Sequence, residues 1–328
     1  MKKSQILMST GLMLCMVALW LASSRTRLEA TPGNVKQVAP GVWFREGEIK
    51  EKGHCNNIWI EMKDYLIVVD ANFPSGAEAC LADIKKTTKK PVKYVFDTHH
   101  HGDHAYGNPV WTKLGATTLA YVGVAEEMKR YEPKGWQDAA KTRKDVAALN
   151  LSTAEPPKQT FKEKQFVLED SGGRRVEFHF FGWAHTRGDG FVYLPKEAIL
   201  CTGDAVVNGP FNYLGHANSS NWPNVIDQAL KLKASTVLPG HGEPGGADVL
   251  TGQRQFFVEL RKAVGDAVKG GKKLEDLVTK KDDKNATTSV HLSPAVKTWS
   301  GEGLASQVEI VYKEMTLNKP YGEIMGGK

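Results

Sequence analysis

The amino-acid sequence predicts an α/β fold in which two β-sheets pack face to face and helices cover their outer sides. Short apolar runs that end at Gly, Pro or Asp indicate strands, and amphipathic segments between them indicate helices. Groups of strands separated by helices occur twice along the 328 residues. This coarse order by itself also fits other α/β arrangements. The composition, 41% hydrophobic and 24% charged, is that of a globular protein with a sizeable core.

The first half of the chain contains three strands, a helix and a buried fourth strand. The three strands are VWFRE near Trp43, NIWIEM from Asn57 and YLIVVDA from Tyr65, and the last two form a hairpin. Residues 75–88 begin with a serine that can cap a helix and continue with apolar residues at helical spacing. The run VKYVFDT from Val92 then predicts a buried strand.

The second half repeats this succession. The runs KQFVLED, RRVEFHFFG, GFVYLP and AILCTGD predict strands, and STVLPGHG from Ser235 predicts another. Amphipathic helices are expected from Asn224 and from Arg254, the latter stopping at a glycine pair. Between the halves, residues 135–157 predict a mostly polar helical segment. Past the glycine pair the chain is charged and weakly patterned until a last helix at about residues 304–313.

A positively charged start and a long apolar run set the N-terminus apart. Lys2 and Lys3 precede an almost uninterrupted apolar segment at residues 6–22. These features, with small residues up to Ser24, are typical of a secretory signal peptide, so we expect cleavage after Ser24 and a periplasmic or secreted protein. The segment is also long enough to remain uncleaved as a membrane anchor. We therefore divide the chain into a signal peptide (1–24), a leader (25–41), a main domain (42–270) and a C-terminal helical extension (271–328).

The charge and the cysteines argue against two classes of protein. The formal net charge is +6, and no dense basic run with interleaved aromatic residues occurs, so we expect a small-molecule substrate and no nucleic-acid partner. Past the signal segment only Cys55, Cys80 and Cys201 remain, too few for a disulfide framework. A single bridge is possible, but we interpret all three as core residues. The sequence makes no prediction of oligomeric state.

The segment FDTHHHGDHAYGN carries four of the ten histidines and two aspartates within thirteen residues. Imidazoles and carboxylates at this density pack badly in a core, whereas both are metal ligands. His99 and His101 are two residues apart at the end of a strand, where alternate side chains point the same way. Asp103 and His104 follow in a turn and can point to a neighbouring position, while His100 falls on the other side. The pattern His-x-His-x-Asp-His thus gives four candidate ligands.

Three more candidate ligands follow other predicted strands. They are His185 in GWAHTRGD, Asp204 at the end of AILCTGD and His241 in GHG, each flanked by small residues. Seven nitrogen and oxygen ligands are too many for one tetrahedral zinc, but two metals that share a bridging carboxylate accommodate them. Imidazoles and carboxylates without a thiolate favour two zinc ions, with iron or manganese as alternatives.

In this order, the histidine motif, the isolated histidine, the aspartate at a strand end and GHG resemble the metallo-β-lactamase superfamily, over about residues 42–263. The resemblance implies a four-layer αβ/βα sandwich with the metals at one edge of the two sheets. It also implies a hydroxide between the two ions that attacks a carbonyl group, with Asp103 orienting it. The implied ligands are His99, His101 and His185 for the first metal, Asp103, His104 and His241 for the second, and Asp204 as the bridge.

The other histidines have no ligand partner in the sequence. We expect His100 to lie behind the ligands, and we consider Asp70 and Asp97 as acceptors for the outer N–H group of a ligand histidine, a role that carboxylates often fill. Surface or core positions are expected for His54, His179, His216 and His291.

The substrate is less constrained than the site, because a fold does not fix a function. The pieces AHTRGDGFVYLP, AILCTGDAVV, LGHAN and VLPGHGEPG resemble zinc β-lactamases that use a cysteine in the second site. Here Asp204 stands in place of that cysteine, His104 in place of a non-ligand, and Val207 in place of a lysine that pairs with the drug's carboxylate. Asn218 resembles an asparagine of their substrate site, but an asparagine in this setting also forms turns.

The ligand set is closer to that of the glyoxalase II thioesterases. Their glutathione site uses basic residues of a C-terminal segment, and no spacing among Lys272, Lys273, Lys280 and Lys281 identifies such a site. We therefore expect an exported dinuclear zinc hydrolase of a lactam, ester, lactone or thioester. A true zinc β-lactamase and a glyoxalase II-like thioesterase are the alternatives, and a phosphodiesterase or a non-catalytic metal-binding protein ranks behind them.

Overall fold

Two β-sheets packed face to face form the centre of the molecule. The structure, a computed structural model, describes residues 34–326, so the predicted signal peptide lies outside the described residues. The first sheet runs β1 to β7 in spatial order, antiparallel through β4 and parallel from β4 to β7. Its strands are β1 (Val35–Ala39), β2 (Val42–Arg45), β3 (Asn57–Glu61), β4 (Leu66–Val69), β5 (Val92–Phe96), β6 (Thr117–Tyr121) and β7 (Gln159–Phe161).

The second sheet has five strands in the order β12-β11-β10-β9-β8, and only β11 and β12 are parallel. Every strand expected from the sequence in this half is present. The strands are β8 (Gln165–Glu169), β9 (Arg175–Phe180), β10 (Gly190–Leu194), β11 (Ile199–Cys201) and β12 (Thr236–Leu238).

One strand arises where the sequence predicts a leader. Val35 in β1 pairs with Arg45 in β2, so the sheet starts inside the segment 25–41. The strand VKQVA is short and lies at the sheet edge with no fully buried residue, so it lacks the apolar run that identifies the other strands.

Helices cover both outer faces. The segment that the sequence predicts as helical at 135–157 belongs to a helix that already begins at Val122, and its helical structure ends at Ala147. The helices of the main domain are α1 (Ile49–Lys52), α2 (Pro74–Thr87), α3 (Gly102–Ala105), α4 (Asn108–Lys113), α5 (Val122–Thr142), α6 (Lys144–Ala147), α7 (Trp222–Leu230) and α8 (Ala247–Lys269).

The alternation of side chains along each strand divides the core into layers. In β3, Ile58 and Ile60 join the cluster between the two sheets, whereas Trp59 faces the layer of α2 and α4. On the far side of the second sheet, Leu200 and Val237 pack against α7 and α8. The molecule is therefore the predicted four-layer αβ/βα sandwich, and Cys55, Cys80 and Cys201 are buried free thiols in it.

The C-terminal region adds helices and one hairpin. Val308 and Val311 are fully buried in the same cluster as Phe256 and Phe257 of α8, so this region is part of the sandwich. The predicted helical extension also contains a two-stranded sheet, which its polar sequence did not indicate. The elements are α9 (Leu274–Leu277), β13 (Val278–Lys281), β14 (Lys284–Thr288), α10 (Lys297–Ser300), α11 (Leu304–Leu317) and α12 (Tyr321–Gly326). Within residues 34–326, no helix combines the length and apolarity needed to cross a membrane.

We expect Glu132→Gln to change how stability depends on pH. Glu132 is buried in α5 and accepts a hydrogen bond from the Tyr106 hydroxyl, and burial raises its pKa from 4.5 to about 7. The unfolded chain loses this proton first, so the free energy of unfolding falls as the pH rises from about 4.5 to 7. In the wild type this fall amounts to about 1–3 kcal/mol, and we expect it to be absent in the variant. Urea unfolding at pH 5 and pH 8 measures it, with the exposed Glu126→Gln as control, and equal pH dependence of variant and wild type would contradict it.

Candidate metal centre

The predicted ligands meet at the edge where the strands β4, β5, β11 and β12 end. The strand β5 ends at Phe96, so His99 and His101 lie in the following loop and not on the strand. The alternation of side chains along a strand therefore does not position these two histidines. The loop holds them, and the short helix α3 after it carries Asp103 and His104. The structure nevertheless brings all seven predicted ligands together.

The first group consists of three histidines whose ring nitrogens converge. Nδ1 of His101 lies 3.1 Å from Nε2 of His99 and 2.9 Å from Nε2 of His185. Burial, followed by the neighbouring imidazoles, holds the pKa of His99 and of His101 well below its usual value. Burial likewise lowers the pKa of His185 to about 4. All three rings are therefore neutral at physiological pH, which is the form that binds a metal.

The second group combines carboxylates with two histidines. Oδ2 of Asp103 lies 3.0 Å from Nε2 of His241 and 3.3 Å from Nε2 of His104. Burial lowers the pKa of His241, but the carboxylates of Asp204 and Asp103 outweigh it and raise that pKa to about 9. Without a metal, this imidazole therefore pairs as a cation with the carboxylates, and a metal ion would replace its proton.

Asp204 lies between the two groups. Its carboxylate is 3.3 Å from Nε2 of His104, 3.4 Å from Nε2 of His241 and 3.9 Å from Nε2 of His185. Oδ1 of Asp204 is buried and has no hydrogen-bond partner. The Asp204 carboxylate as a whole thus faces histidines of both groups, Oδ1 toward His104 and Oδ2 toward His241 and His185, which is the position that a bridging ligand requires.

The spacing of the ligand atoms fits metal ions. Ligands of zinc at the usual bond lengths are roughly 2.9–3.6 Å apart in octahedral or tetrahedral geometry. The separations within each group, 2.9–3.4 Å, fall in this range. Five imidazoles and two carboxylates, with no thiolate in either group, are also a donor set that zinc accepts.

Two glycines allow the strand ends to approach. A Cβ atom at Gly240 would lie 2.2 Å from Oδ1 of Asp204. At Gly203 the backbone has a φ of +49° and a Cβ would lie 2.3 Å from the Thr98 hydroxyl. Both positions therefore require glycine for the loop of Asp204 to reach its neighbours.

Asp70 connects the strand ends of the first sheet. One oxygen accepts a hydrogen bond from Nδ1 of His104 at 2.8 Å, and the other accepts one from the Thr98 backbone N–H at 2.8 Å. This fixes the His104 ring with Nε2 toward the second group. Of the two carboxylates considered from the sequence, Asp70 has the role and Asp97 does not, because Asp97 accepts from the Asn108 amide instead.

A buried aspartate shapes the loop that carries His185. Asp189 accepts hydrogen bonds from the backbone N–H groups of Ala184, His185 and Thr186 at 2.7–3.0 Å. The outer nitrogen of the His185 ring donates to the Tyr213 carbonyl at 2.9 Å. Both the backbone and the ring of this ligand are therefore held in place.

His216 was missed by the sequence analysis, which assigned it to the surface or core. Its Nδ1 lies 2.8 Å from Nε2 of His101, so it accepts the outer N–H of a ligand. His216 is 115 residues further along the chain, and no local spacing links the two. His100 is fully buried beside this pair with neither ring nitrogen hydrogen-bonded, and its nearest carboxylate, Glu132, is 3.9 Å away.

Asn56 is a second missed residue, and it fixes the loop of His241. Its side chain donates to the carbonyls of Pro239 and Gly242, and its backbone N–H donates to that of Gly240, all at 2.8–2.9 Å. Cys55, expected only in the core, packs against His104 and Asp70, and burial raises the pKa of its thiol to about 12. It is therefore an uncharged neighbour of the second group.

A cavity of about 620 Å³ opens above the ligands. Val207 and Asn218 lie outside its walls. Val207 is fully buried, and the Asn218 side chain accepts from Ser220 and from the Asn221 backbone N–H, so it forms a turn. The cavity is lined by His101, Asp103, Asp204 and His241 at its base and by Ile49, Pro210, Phe211, Asn212, Tyr213, Leu214, Gly303, Ser306, Gln307 and Ile310 at its sides.

Comparison with known proteins agrees with this architecture. A curated metallo-β-lactamase, IND-1 of Chryseobacterium indologenes, is 27% identical over 202 residues, which cover 60% of this chain and 75% of the relative. A ribonuclease Z of Latilactobacillus sakei is 27% identical over 212 residues, covering 56% and 65%. A solved metallo-β-lactamase from Pontibacter korlensis shares the fold with a TM-score of 0.55 and 23% identity, covering 69% of this chain and 98% of that one.

A family model described as the metallo-beta-lactamase superfamily matches residues 51–241, which include all seven ligands. This match covers more than half of the chain and agrees with the resemblance carried by the histidine motif. The chain therefore belongs to the metallo-β-lactamase superfamily and is a metal-dependent hydrolase.

Proposed function

We propose that this protein is an exported dinuclear zinc hydrolase that cleaves a carbonyl substrate: a lactam, ester, lactone or thioester. The observation that carries the proposal is the convergence of seven ligand atoms into two groups that share Asp204. Three side chains of each group together with the shared Asp204 give four ligands per ion, which is the number that zinc usually takes. Iron or manganese in place of zinc would leave this argument unchanged.

The roles of the residues follow from their positions. His99, His101 and His185 would hold one ion, and Asp103, His104 and His241 the other. When bound, two zinc ions supply an activated water at neutral pH and a positive charge beside the attacked carbonyl oxygen. Asp103 is partly exposed to the cavity and would also accept a hydrogen bond from the attacking water, which orients it. His216 and Asp70 would keep the ligand rings in position from behind.

The size and location of the cavity support a small-molecule substrate. Pockets for small ligands typically measure about 300–1,000 Å³, and this one has about 620 Å³. A β-lactam is the second candidate, since curated metallo-β-lactamases are among the relatives. The buried Val207, however, provides no cation for the carboxylate of such a drug.

Steady-state assays of the zinc-loaded protein test the proposal. We expect turnover of at least one of a chromogenic cephalosporin, an aryl ester, a lactone and a thioester. Stripping the metal with EDTA should lower kcat/KM at least about a hundredfold, because it removes the positive charge beside the carbonyl oxygen. The substitution Asp204→Ala should have a similar effect, because it removes the ligand that the two metal groups share. Circular dichroism checks that the variant is folded. RNA is assayed as well, because ribonuclease Z enzymes are among the relatives. Hydrolysis of RNA and of none of the carbonyl compounds would contradict the proposal and indicate a phosphodiester substrate.

We expect Asp70→Asn to weaken metal binding on the order of 10- to 100-fold, because the amide would present an N–H group to the ring nitrogen of His104 that now donates. Competition with a chromophoric chelator measures the affinity. The matched control is Asp97→Asn, an equally buried aspartate of the same edge that touches no ligand histidine. Equal affinities of Asp70→Asn and wild type would contradict the role of Asp70.

Export has its own experiment. When the full chain is expressed in a bacterial host, we expect the protein in the periplasmic fraction, with the mass of a chain that begins at Arg25. A full-length protein in the membrane fraction would mean an uncleaved anchor, and a full-length protein in the cytoplasm would contradict export.

A further inference from the structure

One face of the C-terminal helix α11 forms a wall of the cavity above the metal centre. Ser306, Gln307 and Ile310 of α11 lie within four positions of one another and line the cavity together with Gly303, which precedes the helix. This spacing places them on one side of the helix. The substrate of the proposed hydrolase would therefore lie between α11 and the metal ligands.

This wall is fixed to the rest of the molecule. On the adjoining side of α11, Val308 and Val311 are fully buried in the same cluster as residues of α8. The buried Glu314 accepts hydrogen bonds from the Ser219 backbone N–H at 3.1 Å and from the Arg261 guanidinium at 3.1 Å. The helix is thus fixed both by apolar packing and by buried hydrogen bonds.

The sides of the cavity are mainly apolar. Ile310 faces a space that Ile49, Phe211 and Leu214 also line, and Phe211 packs on the His241 ring with centroids 5.7 Å apart. Among the described residues, the cavity lining contains no lysine or arginine. A charged group placed against these sides, away from the metal ligands at the base, would lose hydration without gaining an ion pair, whereas an apolar chain would be stabilised by burial.

We propose that the carbonyl substrate carries an uncharged, apolar acyl chain, and that this chain lies along α11 at Ile310. This inference rests on the proposed function and makes it more specific. With an ester of such an acyl group, the oxygen of water forms a bond to the acyl carbon, the bond from that carbon to the leaving oxygen breaks, and a water proton ends on the alcohol. Neither an oxidant nor a reductant is needed.

The experiment measures how fast the zinc-loaded full chain hydrolyses p-nitrophenyl esters whose acyl chains range from acetate to octanoate. We expect kcat/KM to rise on the order of threefold per methylene until the cavity is filled. Ile310→Glu should flatten this rise, so that the variant loses more turnover on octanoate than on acetate. The matched control, Leu317→Glu, introduces the same charge at an exposed position of the same helix and should keep the rise.

A charged chain and a binding measurement complete the test. The mono-p-nitrophenyl ester of suberate, whose chain ends in a carboxylate, should be turned over at least about tenfold less well than the octanoate, and Ile310→Lys should recover part of this loss. Octanamide, but not acetamide, should raise the melting temperature of wild type and of Leu317→Glu, and not that of Ile310→Glu.

The outcomes separate the two proposals. Equal kcat/KM for all chain lengths, or an unchanged rise in Ile310→Glu, would overturn the acyl-chain site and leave the hydrolase intact. Stabilisation by octanamide that Ile310→Glu abolishes, without hydrolysis of any ester, would support the acyl-chain site and overturn ester hydrolysis as the reaction.

Discussion

The close approach of seven polar side chains at one sheet edge is the constraint on which the rest of this structure depends. Two carboxylates and five imidazoles, five of the seven residues buried, place their ligand atoms 2.9–3.9 Å apart. Burial of so many polar groups is costly unless each has a partner. The surrounding loops supply those partners, and glycine at 203 and 240 makes the room. The sheets provide the rigid ends from which these loops start.

The two ligand groups have different electrostatics. The three histidines of the first group are neutral because burial and mutual repulsion of their charged forms lower their pKa values. In the second group the carboxylates raise the pKa of His241, so this group is held together without a metal by charged hydrogen bonds. The outer partners differ as well: Asp70 is a carboxylate behind His104, whereas the uncharged His216 is behind His101. Such partners adjust the basicity of a ligand nitrogen, so the two ions would not be equivalent.

The sequence predicted the four layers, and it selected the seven candidate ligands that the fold brings together, because both leave local patterns. Ligands sit in short motifs after apolar runs, and layers follow from the alternation within those runs. What it could not predict are contacts between distant segments. His216 meets His101 across 115 residues, and Asn56 meets the loop of His241 with no motif to connect them. The edge strand β1 was missed because its two valines are three positions apart and give no alternation. The position of α11 beside the candidate ligands follows only from tertiary packing.

The base of the cavity and one of its walls come from segments that are far apart in the sequence. Its base comes from loops that carry the metal ligands, whereas one of its walls comes from α11, which follows the last ligand, His241, by more than sixty positions. A mutation at Ile310 can therefore alter which molecules fit without moving a ligand. This separation lets selection change the substrate range of the enzyme while its reactive centre stays constant, and it makes α11 the place to begin engineering a new specificity.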